Sequence, residues 1–240
     1  MTVGDATGGN VRAVVFDIEG TTTAISFVVE TLFPYARRAL CDFLRAHWAD
    51  PAVRAAAVQM GSPEDDGPDG ATHSALALMD HDVKDTGLKE LQGRVWAEGY
   101  ARGALRAHVF PEIREVFEAL RAAGIALAIY SSGSVTAQRL LFAHAILGDL
   151  TPFVGSYFDT TTGPKKAPAS YRTIATQLGV DAPAIAFVTD SLDEARAARA
   201  AGWAVWVAVR PGNAPLPEGH GFPTLTDFRT LVASLGRAPH

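Results

Sequence analysis

One cysteine in 240 residues rules out a disulfide within the chain. Stability must come from packing, and a reducing compartment suits such a composition. Cys41 lies in a helical pattern and reads as a small, buried or half-buried hydrophobe rather than a nucleophile. Also missing is any apolar run approaching the roughly 20 residues needed to span a bilayer, so no membrane partner is expected. Positive charge is scarce: 21 Lys and Arg stand against 26 Asp and Glu, a formal net charge of -5. Nucleic acid requires clustered Lys and Arg and is not an expected partner. A small anion is compatible, because a local site can be positive on a negative protein. Residues 1–10 have neither a basic stretch nor an apolar run and read as a loose leader, not a secretion signal. The cytoplasm is the expected location. There is no internal repeat, and no apolar helix face is left over for a second copy, so a monomer is expected.

What the chain does contain is a set of short, apolar, β-branched runs. Residues 13–16 (AVVF), 125–130 (IALAIY), 184–189 (AIAFVT) and 204–209 (AVWVAV) read as buried parallel strands, with 155–159 (GSYFD) a weaker fifth. Helical patterns fall between them at 111–123, 134–145, 168–178 and 192–201, with Gly124, Gly179 and Gly202 where helix C-terminal glycines belong. The alternation predicts an α/β, Rossmann-like parallel sheet with helices on both faces. Residues 24–107 break the pattern. They hold helices expected at 27–48, 51–60, 72–81 and 87–106, with an acidic, turn-rich loop at 61–70 (GSPEDDGPDG) and no strand. A core of 11–23 plus 108–240 is therefore expected, with a helical domain of 24–107 inserted directly after the first strand. A last helix is expected at 225–235.

Ligands of an open parallel sheet gather at the carboxyl ends of its strands. The first strand ends in Asp17-Ile18-Glu19, the second in Ser131-Ser132-Gly133-Ser134, and 184–189 runs into Asp190, with Asp193 and Glu194 beyond. Lys165 and Lys166 follow the weak strand. Each feature has a plain alternative. An acidic triplet after a strand is usually a turn, SSGS an N-cap, two lysines a solvated face, and Asp193 with Glu194 first-turn acids favoured by a helix dipole. Four such features in order, each at a strand end, point instead to phosphate chemistry. Asp17 can attack phosphorus. Asp17 and Asp190 are hard oxygen ligands suited to Mg2+, which offsets the repulsion between a carboxylate and a phosphate dianion. Glu194, one helical turn after Asp190, would support that site from behind. Lys165 would keep the neighbouring carboxylates ionised. Ser131 and the backbone N–H groups of Gly133 and Ser134 would cradle the phosphoryl oxygens. Glu19 can protonate the leaving oxygen and then activate water.

In this order Asp17, Ser131, Lys165 and Asp190 resemble the four motifs of the haloacid dehalogenase superfamily, and the helical insert is similar to that superfamily's cap domain. The string from Phe16 to Thr23, Ser26-Phe27, residues 32–36, residues 88–93, Tyr130 to Val135 with Gln138, residues 158–160, and Arg210-Pro211-Gly212-Asn213 is similar to the enolase-phosphatases of methionine salvage. That resemblance implies a small phosphorylated substrate, 2,3-diketo-5-methylthiopentyl-1-phosphate, enolised and then dephosphorylated to an acireductone. It implies one Mg2+ at Asp17, Glu19 and Asp190, with Glu19 contributing its backbone carbonyl. It also implies substrate contacts at Ser131, Ser132, Gly133 and Lys165, and catalytic roles for Asp17, Glu19 and Lys165. No base for the enolisation step is named by any motif. Two alternatives stand beside this reading: another capped phosphatase of the superfamily, and a non-catalytic phosphate-binding protein on the same fold.

Overall fold

The computed structural model describes residues 11–235; the leader reading of residues 1–10 lies outside them. Six parallel strands form one sheet: β1 (Ala13–Phe16), β2 (Ala126–Tyr130), β3 (Ser156–Phe158), β4 (Ile185–Thr189), β5 (Ala204–Ala208) and β6 (Thr224–Leu225), in the spatial order β3-β2-β1-β4-β5-β6. The α/β class expected from the alternation is the class observed. The direction of winding reverses between β1 and β4, so the crevice beyond their carboxyl ends is where such a sheet binds ligands.

β1 is central, and its residues are fully buried on both faces, which is why it reads as an unbroken apolar run. Register sorts its side chains. Val15 lies level with Ala128 and Phe187, and Phe16 with Ile129 and Val188. On one face Phe16 meets Phe117 and Phe228, with ring centroids 5.4 and 5.6 Å away. Phe117 is carried by α5 (Ile113–Ala122), and Phe228 immediately precedes α9 (Arg229–Leu235). On the other face Val15, Phe187 and Tyr171 pack with alanines of α8 (Leu192–Ala200) in one apolar cluster. Tyr171 belongs to α7 (Pro168–Leu178), which ends at Gly179 with a φ of 65°. The remaining core helix is α6 (Val135–Ala143).

By compactness the described residues up to Ile25 and from Ala107 onward form one unit, and Ser26–Arg106 form a second. The chain leaves the first unit after Ile25 and returns at Ala107, and the first unit's residues beside these points are tied. The Thr23 hydroxyl donates to the His108 carbonyl, the Ala24 N–H donates to His108 Nδ1 at 3.2 Å, and the Phe110 N–H donates to Thr22 O at 3.0 Å.

The second unit is helical. A π-helical turn (Phe27–Leu32) runs into α1 (Phe33–His47), followed by α2 (Pro51–Gln59), α3 (Gly67–Asp80) and α4 (Thr86–Ala101). Ala36, Leu40, Phe43 and Leu44 recur at helical spacing and are buried, and Trp96 Nε1 donates to Leu32 O at 2.9 Å. Asp50 and Asp85 start α2 and α4 by accepting the N–H groups of Ala52 and Leu88. Gly99 lets α4 approach Tyr35, since a Cβ there would stand 2.6 Å from the Tyr35 ring.

Three expectations are corrected. The acidic stretch 61–70 is not wholly a loop, because α3 begins at Gly67, five residues before the expected start. Pro68 sits in the first helical turn, where its missing N–H costs nothing, and Asp69 suits the positive end of the helix dipole. α4 ends at Ala101 rather than 106, and Gly103 follows it with a φ of 69°. The segment expected as one helix from 225 is instead the short strand β6 and then α9. Asp227 Oδ1 accepts the Arg229 N–H at the helix start.

One buried ion pair braces the sheet's last turn. Arg210 Nη2 lies 2.5 Å from Glu112 Oε1, Nε donates to Thr21 O at 3.1 Å and Nη1 to Thr226 O at 2.9 Å. The guanidinium stands between the Phe110 and Phe228 rings, 4.1 Å from each centroid. Arg210→Ala would leave Glu112 buried and unpaired, so urea denaturation should show a loss of about 3–5 kcal/mol, whereas the apolar pair Arg210→Met with Glu112→Leu should recover most of it.

Candidate active site

The expected residues are best followed from β1 outward. The Asp17 N–H donates to Val188 O at 2.9 Å, so the carboxylate leaves the sheet at the reversal between β1 and β4. Beyond it the N–H groups of Thr21, Thr22 and Thr23 all turn back on Ile18 O, at 3.1, 2.9 and 2.9 Å. This tight loop needs Gly20 at a φ of 68°. It also needs the absence of a side chain: a Cβ at Gly20 would lie 2.4 Å from Asp190 Oδ2 and 2.8 Å from Asn213 Oδ1. Asp190 is thereby placed against the Asp17 loop. Asn213 Nδ2 donates to Gly20 O at 2.9 Å, and Arg210 holds Thr21 O, so the motif 210–213 pins the loop from the far side.

Lys165 reaches the same point from the loop after β3. Its Nζ lies 2.5 Å from Asp17 Oδ1 and 2.8 Å from Glu194 Oε2, with all three side chains nearly closed to solvent. Glu194 also accepts from Thr189 Oγ1 at 2.8 Å. Burial opposes the charge on Lys165, but Asp17 and Glu194 outweigh it and hold the ammonium above its usual range. The carboxyls fare differently. Burial, then the charge of Asp17, pushes Asp190 up to about 6 and Glu194 up to about 7, with Lys165 pulling both down. Lys165 acts on both in the expected direction, but burial and the charge of Asp17 outweigh it. One ammonium does not offset burial and mutual repulsion among three carboxylates.

Other expected residues are placed as follows. Ser131 is buried at the end of β2, and its Oγ accepts the Gly133 N–H at 3.3 Å. Ser132 is exposed. Of the expected cradle donors, the Gly133 N–H is thus taken within the chain, and the next first-turn donors also find acceptors of the protein's own. Ser134 Oγ accepts from the Ala137 N–H at 3.3 Å, and Asp159 Oδ2 from the Val135 N–H at 3.2 Å. Glu19 is exposed two residues beyond Asp17, and its charge is among those that raise Asp190. Lys166 and Asp193 pair with each other at 2.9 Å on the surface, apart from the buried trio.

Sequence reasoning missed the Glu194–Lys165 pair, giving Glu194 only a supporting role beside Asp190. The signal was available in Thr189 and Ser191, which flank Asp190: Thr189 Oγ1 and Ser191 Oγ engage the side chain and N–H of Glu194 and turn it inward.

Comparison with known proteins places this geometry in a family. The family model for haloacid dehalogenase-like hydrolase matches residues 11–202. The Enolase-phosphatase E1 of Drosophila melanogaster is 42% identical over 236 residues, covering 92% of this chain and 92% of that protein. The Enolase-phosphatase E1 of Synechococcus elongatus is 42% identical over 229 residues, covering 88% and 93%. The chain belongs to the enolase-phosphatase E1 family of haloacid dehalogenase-like hydrolases. The crystal structure of the UTR4 protein of Saccharomyces cerevisiae is similar to it at 36% identity and a TM-score of 0.81, covering 92% of this chain and all of that one. Family membership makes the chain a phosphatase.

The raised carboxyls give this enolase-phosphatase core a pH signature. Glu194 binds its proton more readily folded than unfolded, where its ordinary value is 4.5. Its contribution to stability is therefore full below that value and is lost as pH rises through about 7. Without divalent cation, the wild type should lose more stability than Glu194→Gln between about pH 5 and about pH 8, by on the order of 1–3 kcal/mol. Urea melts at the two pH values check this; equal losses would show that the Glu194 carboxyl does not carry the signature.

Proposed function

We propose that this chain converts 2,3-diketo-5-methylthiopentyl-1-phosphate to the acireductone 1,2-dihydroxy-3-keto-5-methylthiopentene and phosphate, with Asp17 as nucleophile and one Mg2+ per subunit. The observation that carries the reading is the charge balance where β1 and β4 part. Asp17, Asp190 and Glu194 set three carboxylates against the single ammonium of Lys165, two negative charges in excess when all are ionised. Hard oxygen donors with that excess fit a small dication. Among the described residues no three His, Cys, Asp or Glu side chains form a metal-holding group. A mixed set of two side chains and one backbone group, Asp17, Asp190 and the backbone carbonyl of Glu19, would hold Mg2+, with water and substrate phosphate filling a shell of the kind Mg2+ favours. When bound, the ion supplies the positive charge that lets a carboxylate approach a phosphate dianion.

Each side chain then has a task. Asp17 attacks phosphorus, forming a bond to one carboxylate oxygen as the bond from phosphorus to the substrate's C1 oxygen breaks. Lys165 holds the Asp17 carboxylate in line and stays charged. The Ser131 hydroxyl, which accepts the Gly133 N–H, keeps its own proton to donate to a phosphoryl oxygen. Glu19 gives a proton to the leaving oxygen and then takes one from the water that cleaves the aspartyl phosphate. Its exposure beside buried Asp17 supports that role, because a group that serves both the leaving oxygen and water must reach both. The unit 26–106 acts as the cap, excluding water during transfer. The lone cysteine suits a reducing compartment such as the cytoplasm.

The direct test is phosphate release from the diketone phosphate, coupled to the ultraviolet change of the diketone and set against a panel of other phosphomonoesters. Turnover of the panel without preference for the diketone would assign a different substrate. Asp17→Asn should fold and lose on the order of 10³-fold or more in kcat. Near wild-type turnover would remove Asp17 as nucleophile. Asp190→Ala should raise the Mg2+ concentration needed for half-maximal activity steeply, and Glu194→Ala less so. Unchanged Mg2+ titrations for both would move the ion elsewhere.

A further inference from the structure

The loop that carries Lys165 has an unusual set of partners. Three consecutive backbone carbonyls each accept a hydrogen bond from a side-chain hydroxyl: Gly163 O from Tyr130 Oη at 2.8 Å, Pro164 O from Ser170 Oγ at 2.8 Å, and Lys165 O from Tyr171 Oη at 2.6 Å. Pro164 O also takes the Ala167 N–H at 3.0 Å, which closes the turn into α7. Gly163 has no room for a side chain, because a Cβ there would stand 2.3 Å from Ser170 Oγ.

The donors are themselves fixed. The Tyr130 and Tyr171 rings are fully buried and meet edge to face, with centroids 5.6 Å apart at 81°. Tyr171 is packed in the same way against Phe187 and Trp203, at 5.3 and 5.2 Å. In that aromatic setting phenylalanine would fill the space as well as tyrosine, so packing does not explain the hydroxyls. Burial raises both phenols above their ordinary range, so both remain proton donors. Burying a hydroxyl costs free energy unless it makes its bond, and here each bond falls on the backbone of the Lys165 loop. The Lys165 ammonium in turn lies 5.8 Å from the Tyr130 ring centroid, so Tyr130 stands beside the charged end of the side chain and also anchors the loop's backbone.

We propose that Tyr130, Ser170 and Tyr171 are positioning residues that aim the Lys165 ammonium by fixing the three carbonyls of its loop. A lysine has four rotatable side-chain bonds and its aim is only as good as that of its backbone. Displacements near 1 Å can cost about 10²-fold. The hydroxyls act through the lysine and touch no reacting atom. This inference rests on the role proposed for Lys165 in holding Asp17 in line, and on the substrate contact that the family resemblance implies for it.

The test is a double-mutant cycle read by equilibrium binding of inorganic vanadate, a phosphate mimic, in the presence of Mg2+, so that no turnover is needed. Tyr171→Phe should weaken vanadate about tenfold in the otherwise wild-type protein and Lys165→Met about a hundredfold, while adding Tyr171→Phe to Lys165→Met should cost less than about twofold. Equal cost of Tyr171→Phe in both backgrounds, or no cost in either, would reduce the hydroxyl to a stabilising contact and overturn the inference. If Lys165→Met alone leaves vanadate binding unchanged, the failure lies instead in the role given to Lys165. Urea melts report whether each variant is folded. Should Tyr171→Phe not fold, the same cycle is run with Ser170→Ala, at the start of α7, and the same outcomes support or overturn the inference.

Discussion

The rest of the site depends on one ammonium held among carboxylates in a nearly closed space. Lys165 bridges Asp17 and Glu194, and Asp190 stands close enough for the charge of Asp17 to raise its pKa. Such a cluster is costly to assemble, since every charge in it has lost most of its water. Removing Lys165 would leave the carboxylates with burial and mutual repulsion unopposed. The cluster is also short of positive charge as built. That shortage is the basis of the proposed Mg2+ site.

The fold supplies the rigidity that this arrangement demands. Asp17 and Asp190 follow adjacent central strands whose residues are buried on both faces, so neither can shift without disturbing the sheet. The loop after Asp17 is held by backbone bonds to Ile18 O, and from outside by Arg210 and Asn213. The Lys165 loop is held by hydroxyls from β2 and α7. The charged groups are thus fixed by independent supports, none of which is itself charged except the Arg210–Glu112 pair.

The strands were legible because β-branched runs bounded by glycine and strand-end polar residues have few other meanings in a chain of this composition. β6 was not, since two residues carry no pattern. The start of helix α3 was hidden because Pro, Asp and Gly are shared by turns and by helix first turns, and only tertiary packing decides between them. Neighbours of identical chemistry were the hardest to separate. Lys165 is 9% exposed and Lys166 70%, yet they are adjacent lysines. Asp193 and Glu194 are adjacent first-turn acids, and only Glu194 turns inward. Helical phase sets which of such a pair faces the sheet, and a single sequence fixes phase only where apolar residues mark it. Around 190–194 the marking is thin, and Thr189 with Ser191 decides the outcome through hydrogen bonds instead.

The tie between Thr23 and His108 has a bearing on how the chain folds. These residues are 85 apart in sequence and bonded in space, so the pairing of β1 with β2 must close a very long loop. If the intervening segment were unstructured, closure would carry the entropy of its whole length, a cost that grows with the logarithm of loop size. A helical segment that collapses first on its own local contacts shortens the effective loop to the few residues on either side of it. The expected order of events is therefore local helices first and β1–β2 pairing later. Proline or glycine substitutions that weaken α1 or α4 should therefore act mainly by slowing refolding, with little change in the unfolding rate.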